Sequence, residues 1–402
     1  MIALIDCNNF FVSCELTRRP ELIGHPTVVL GSNDGCVVAM SNEAKALGIT
    51  RGIPLFKIKG IVQRYDVATI SGDHRFYRSM SQKVMSLIRS IVPRIEVYSI
   101  DEVFMELPFS GNELADFGHY LVDTIKSTTG IPVSLGISTT RTLAKVAARF
   151  AKKHKGYNGV CIIDTDEKRI LALTKSQISD VWGIGRRMSS HLTKIGISTA
   201  YQFASMPFER ISAKYNLPAQ RTWRELNGMP CIEKSHDAEN RKSITCSRTF
   251  PHDVFNRAEL YEAISNHAAN AALQARKLGL MAGEISVFIA TNPFHGTAQY
   301  NNEAKLKFDE PTDDTMSIIK MSHRVLNGIY REGYGYKRSG VTLSHLSNYK
   351  YSQPSLFSDH DNLSRRKNLM KVMDAINASD RYGNGIKVAS MSIDSHKPNN
   401  NG

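Results

Sequence analysis

The sequence has no uninterrupted run of the roughly 18 apolar residues that a membrane helix needs, so no membrane span is expected. Its opening, Met1-Ile-Ala-Leu-Ile-Asp6, lacks a basic leader and reaches an acid too early for a secretory segment; a cytoplasmic protein is expected. Cysteine is sparse. The six, at positions 7, 14, 36, 161, 231 and 246, form no CxxC pair and have no companion histidine spacing, which argues against zinc and leaves reduced, mostly buried thiols. Negative charge is also short. Fifty-one Lys and Arg against 38 Asp and Glu leave a formal charge of +13, which favours a polyanionic partner without choosing among DNA, RNA and anionic lipid. The remainder, 42% hydrophobic and 22% charged over 402 residues, is ordinary globular composition, enough for roughly two to four compact units.

Basic residues cluster between Arg141 and Lys155. Arg141, Lys145, Arg149 and Lys152 recur every three or four positions, and Leu143, Val146, Ala147 and Phe150 occupy another face, so the spacing predicts an amphipathic helix with a cationic ridge. A solvated helix face is the alternative. Around it, residues 2–6 read as a buried strand, Asn8–Leu16 as a helix, 27–70 as a small inserted module rich in Gly and Pro, and Asp73–Ile91 as a long helix. Ile95–Leu107 reads as a hairpin with Ser99-Ile-Asp-Glu102 at its tip; a helix from Leu114 to Ser127 and strands at Pro132–Ser138 and Val160–Ile163 follow. This order suggests an α+β sheet with helices on one face. Short helical segments follow residue 168, a polar tether covers 233–243, and strand signals return from Ile244 in a second α+β module with an Ala-rich helix near Ala263–Leu278. The tail after Asn348 is polar, with an amphipathic helix near Leu363–Asn377 and a disordered end expected.

Asp6 ends the first strand, and Asp101 and Glu102 occupy a hairpin tip in the same sheet, so three carboxylates are placed to meet at one edge. Crowded anions need cations, and hard divalent ions suit carboxylates, a backbone carbonyl such as that of Cys7, and substrate phosphates. Spacing alone leaves exposed turn acids as an alternative. Three motifs, Asp6-Cys-Asn-Asn-Phe-Phe-Val-Ser13, Tyr98-Ser-Ile-Asp-Glu102, and Ser134-Leu-Gly-Ile-Ser138 followed by Leu143-Ala-Lys-Val-Ala147, resemble in order and spacing those of the Y-family of translesion DNA polymerases. Gly35-Cys-Val-Val, Glu43-Ala-Lys-Ala-Leu-Gly48 and Cys246-Ser-Arg-Thr-Phe250 are most similar to its UmuC type, the catalytic subunits of bacterial DNA polymerase V.

The resemblance implies a multidomain α+β right hand with a ferredoxin-like palm (1–21 and 73–167), small fingers (22–72), a helical thumb (168–232), a linker (233–243), a little finger (244–347) and a C-terminal tail (348–402). It implies error-prone, template-directed DNA synthesis as part of the SOS response. Asp6, Asp101 and Glu102 would be catalytic and, with Cys7, would bind two Mg²⁺ ions. Phe11 would be a steric gate against a ribose 2′-hydroxyl, with Phe10 beside it; Lys152 would contact the triphosphate, as would Asn42 and Lys45, where many relatives carry Tyr and Arg. Gly183, Gly185, Arg186 and Arg187 resemble a helix-hairpin-helix that grips DNA phosphates. Arg241, Lys242 and Arg248 are further phosphate contacts. Gln353, Leu356 and Phe357 resemble the clamp-binding peptide of bacterial polymerases. The partners implied are primer-template DNA, dNTP, a sliding clamp, a UmuD′-type dimer and a RecA filament. Two other readings stay open: a palm-type nucleotidyl or cyclase enzyme acting on small nucleotides, and a non-catalytic DNA-binding scaffold.

Overall fold

The computed structural model describes residues 1–31, 35–109, 111–233, 241–294, 296–348, 360–379 and 385–391. They fall into two compact units, Met1–Lys234 and Ser235–Gly402. The strands of the first unit are β1 (Ile2–Cys7), β2 (Thr27–Leu30), β3 (Val37–Met40), β4 (Ala68–Ser71), β5 (Ile95–Val97), β6 (Glu102–Glu106), β7 (Val133–Ser138) and β8 (Val160–Ile163). A five-stranded sheet runs β5-β6-β1-β7-β8, and β3-β2-β4 form a separate small sheet. The first helix is Phe10–Arg18, two residues later than the sequence suggests, because Asn9 sits in the left-handed region at φ 47° and delays the helical turn.

Helices cover both faces of the large sheet, and the one-face expectation is corrected. Ala3, Ile5 and Cys7 of β1 point into a core shared with the helices His74–Ile91 and Gly111–Thr129. Leu4, with Phe104 of β6, points the other way and packs under Ala144 and Ala148 of the helix Arg141–Lys153. The apolar run of β1 is continuous rather than alternating, which is the pattern of a strand buried on both sides. Gly136 on β7 makes the second face accessible: a Cβ there would lie 2.0 Å from the backbone nitrogen of Ala148 and 2.2 Å from the carbonyl oxygen of Ala144.

Beyond β8 the first unit is helical, with segments Asp166–Lys175, Arg186–Lys194, Ala200–Ala204, Phe208–Lys214 and Leu217–Leu226 around Leu173, Phe203 and Leu226. Buried Glu225 ties this region to the sheet layer. Its carboxylate accepts from the Thr142 backbone N–H at 3.0 Å, in the first turn of Arg141–Lys153, and from those of Cys231 at 2.9 Å and Ile232 at 3.2 Å.

The second unit holds β9 (Ser243–Val254), β10 (Leu280–Thr291), β11 (Asn301–Thr312) and β12 (Tyr336–Asn348) in an antiparallel sheet ordered β11-β10-β12-β9. Helices Arg257–Lys277 and Thr315–Ile329 share its core. The tail helix, His360–Ser379, docks on this unit through buried Met370 and through Asp374, which accepts from Arg276 Nε at 2.7 Å. His267 is buried in this core, and its Nε2 has no hydrogen-bond partner among the described residues. Burial, then the charge of Arg248, lowers its pKa from 6.5 to about 4. Protonation therefore favours the unfolded chain, and stability present above pH 6.5 is lost as pH falls towards 4. Urea midpoints of the wild type should drop over that window by more than those of His267→Phe; parallel curves would refute this.

Candidate active site

Antiparallel pairing of β1 with β6 sets Asp6 directly opposite Glu102. One residue further on, the Cys7 N–H donates to the Asp101 carbonyl at 2.9 Å, bringing Asp101 to the same sheet end. Asp6 thus shares one sheet end with Asp101 and Glu102, 95 and 96 positions away in the chain, because β1 pairs with β6. Each has its own donor. Lys152 Nζ is 2.9 Å from Asp6 Oδ1, Lys145 Nζ is 2.7 Å from Glu102 Oε1, and Ser99 Oγ donates to Asp101 Oδ1 at 2.6 Å. Ser99 Oγ also accepts from the backbone N–H groups of Asp101 and Glu102, which fixes the turn. Turned to separate partners, the acids are not drawn to one point: among the described residues no group of three His, Cys, Asp or Glu side chains stands ready to hold a metal ion. The Cys7 thiol is in the core, and burial first, then Asp101 and Asp6, push its pKa up.

The cationic ridge is divided. Arg141 is buried, pairs with both Glu96 oxygens at 2.9 and 2.5 Å, and lies over the Phe104 ring, so it is a structural residue. Lys145, Arg149 and Lys152 instead line a cleft of about 690 Å³ with Asp6, Glu102 and Lys45. Arg149 pairs with Asp180 across this cleft. Its wall on the three-stranded module is the short helix Asn42–Ala46, capped by Ser41, whose Oγ accepts from the Ala44 N–H. Lys45 Nζ donates to Asn9 Oδ1 at 2.5 Å and to Asn42 Oδ1 at 3.3 Å, and Asn9 Nδ2 donates to Asn42 Oδ1. Burial, then neighbouring Lys152, lowers the pKa of Lys45, with Asp6 and Glu43 opposing.

Phe11 is half-buried, stacked on Tyr77 at 4.5 Å and met edge-on by His74 at 5.7 Å. Tyr77 is in turn held by its hydroxyl, which donates to buried Glu15 at 2.7 Å. Phe10 is 4% exposed and belongs to the core, as expected of a plain core aromatic beside Phe11. Sequence reasoning did not assign Asn9, Lys145, Arg149 or Trp182 to the site, although Lys145 and Arg149 stood in the same ridge as Lys152.

Gly183 adopts φ 90°, and a Cβ there would meet Thr222 Oγ1 at 2.2 Å, so packing accounts for this glycine. Gly185 caps the helix Arg186–Lys194 with open space beside its Cα, and Arg186 and Arg187 are exposed in its first turn. In the second unit Arg241 and Lys242 are exposed just ahead of β9, and Arg248 is exposed on it. Gln353, Leu356 and Phe357 lie outside the described residues. Among the described residues no helix is long and apolar enough to cross a membrane.

Residues 5–149 match the model of the impB/mucB/samB family, and residues 241–356 match that of its C-terminal domain. Protein UmuC of Salmonella typhimurium is 38% identical over 95% of this chain and 92% of its own. Protein ImpB of the same organism is 36% identical over 95% and 91%. DNA polymerase IV 2 of Bacillus subtilis is 26% identical over 98% and 94%. Among solved structures, the Y-family DNA polymerase chimera Dbh-Dpo4(243-245)-Dbh superposes with a TM-score of 0.69 at 21% identity, covering 87% of this chain and all of that one. The insertion ternary complex of Dbh DNA polymerase gives 0.58 at 20%. The fold is therefore the multidomain α+β fold of Y-family polymerases, and by its matched residues and relatives the chain belongs to the impB/mucB/samB family.

Proposed function

We propose that this chain is a DNA-directed DNA polymerase that carries out error-prone translesion synthesis in the DNA damage response. The observation that carries the reading is the register of β1 against β6, which sets Asp6 opposite Glu102 in a cleft walled by Lys45, Arg149 and Lys152, with Asp101 at the same sheet end. Y-family polymerases use divalent metal ions, and the donor set here is hard oxygen throughout, the set that Mg²⁺ prefers. Asp6, Asp101, Glu102 and the Cys7 carbonyl would hold two such ions, which when bound stabilise the attacking and leaving oxygens of phosphoryl transfer. Lys145 and Lys152 keep the carboxylates neutralised and in place until then. Lys45, Lys152 and Arg149 supply positive charge to a triphosphate, with Asn42 and Asn9 orienting Lys45. A palm-type enzyme for small nucleotides would have no use for the second unit or the +13 charge.

The five-stranded sheet and its helices are the palm, the β3-β2-β4 module the fingers, the helical segments of 168–232 the thumb, and the second unit the little finger. Gly185, Arg186 and Arg187, with Arg241, Lys242 and Arg248, grip primer-template DNA through its phosphates. Gln353, Leu356 and Phe357 dock on a sliding clamp, and a UmuD′-type dimer and a RecA filament are further cytoplasmic partners. Primer extension by the purified chain on intact and damaged templates, with dNTP and Mg²⁺, tests the activity; no extension with or without clamp and accessory dimer would refute it.

Phe11, held by Tyr77 and His74, presents a ring whose position is fixed rather than yielding, as steric exclusion requires. Phe11→Ala should raise ribonucleotide over deoxyribonucleotide use on the order of 10²-fold, read as the ratio of kcat/KM values, from loss of a contact of about 3 kcal/mol. An unchanged ratio would remove Phe11 from the gate.

A further inference from the structure

Among the described residues Lys145 is the ridge cation with aromatic rings on three sides. Its Nζ lies 4.5 Å from the ring centre of Tyr98, 5.1 Å from that of Trp182 and 5.9 Å from that of Phe104. The rings brace one another: Tyr98 meets Trp182 edge-on at 5.6 Å and Phe104 edge-on at 5.6 Å. Lysine is a compact charge on a flexible stem, and by itself it holds a carboxylate in no single orientation. Three ring faces attract the ammonium and restrict where it sits. The Lys145 side chain is 15% exposed, so this attraction is little diluted by water.

Tyr98 and Phe104 flank the acidic turn and come with it. Trp182 does not: it belongs to the segment after Asp180, where its carbonyl accepts from Thr222 Oγ1 at 3.4 Å and Gly183 packs against the same threonine. We propose that Trp182 is a positioning residue for nucleotidyl transfer. Through the Lys145 ammonium that it cages with Tyr98 and Phe104, it sets the orientation of the Glu102 carboxylate and with it the divalent-cation response of the acid cluster. The proposal rests on the polymerase reading and adds to it a residue that touches no reacting atom. It also couples the helical segments beyond residue 180 to the tip of β6.

The test uses the full chain with Trp182→Leu, Trp182→Phe, Lys145→Met and the double variant Trp182→Leu/Lys145→Met. Trp182→Leu should lower kcat about tenfold and shift half-saturating Mg²⁺ upward by a similar factor, with the dNTP KM changed by less than about twofold. Trp182→Phe, which keeps a ring face, should restore most of the loss. On the Lys145→Met background Trp182→Leu should cost nothing further, because the effect passes through Lys145. The chain has two tryptophans, Trp182 and Trp223, so on a Trp223→Phe background MgCl₂ without DNA should change the fluorescence of Trp182 as Lys145 loses its hold on Glu102. Full additivity of the two substitutions, equal losses in the Leu and Phe variants, or a loss that follows only the melting temperature would overturn the proposal. If the wild type extends no primer, the polymerase reading fails instead, and the fluorescence titration still decides whether Trp182 senses the cation.

Discussion

Asp101→Ala is expected to lower primer extension by roughly 10³-fold or more, since the variant lacks one of the three carboxylates proposed to hold the cations. The folded state should not suffer. Asp101 contributes its backbone carbonyl to the Cys7 N–H, a bond that alanine keeps, and Ser99 Oγ still accepts from the Glu102 N–H. Removing one anion from a crowded edge relieves repulsion, so the melting temperature should stay level or rise. Affinity for primed DNA should change little, because the residues proposed to grip DNA phosphates are others. Asp101→Asn keeps shape and the Ser99 contact but not the charge, and should fail as badly. Activity within tenfold of wild type, in a protein of unchanged stability, would remove Asp101 from the catalytic centre.

Gly136→Ala is expected to be the most damaging single methyl group in the first unit. The added Cβ would stand 2.0 Å from one backbone atom of the helix Arg141–Lys153 and 2.2 Å from another, so no side chain can swing aside and the helix itself must lift. Overpacking of this kind costs about 3 kcal/mol or more, which lowers the melting temperature of a unit this size by roughly 10 °C. That helix carries Lys145, Arg149 and Lys152. Activity at a temperature where the variant is still folded should therefore fall as well, from misplaced cations. Gly185→Ala is the control, since nothing lies within 4 Å of its added methyl group. Equal melting temperatures for the two variants would contradict the account.

Periodicity located the long helix, the acidic hairpin, the ridge and the second module, because each is a local pattern of apolar and charged residues. It missed what depends on a neighbour. The two-residue delay of the first helix reflects the left-handed Asn9. The ridge read as four equal cations, yet Glu96 claims Arg141 and Asp180 pairs with Arg149. The sequence by itself determined the residue types at the tip of β6 and the end of β1, the charge on the helix and the family motifs, since these are properties of short segments. Only the tertiary structure decided that β1 pairs with β6 in the register that sets Asp6 against Glu102, that a helix covers the second sheet face over Gly136, and that Trp182 closes over Lys145. Asp6 and Glu102 are 96 positions apart and Lys145 and Trp182 are 37, and no local propensity specifies a partner so distant; packing of the whole unit selects it.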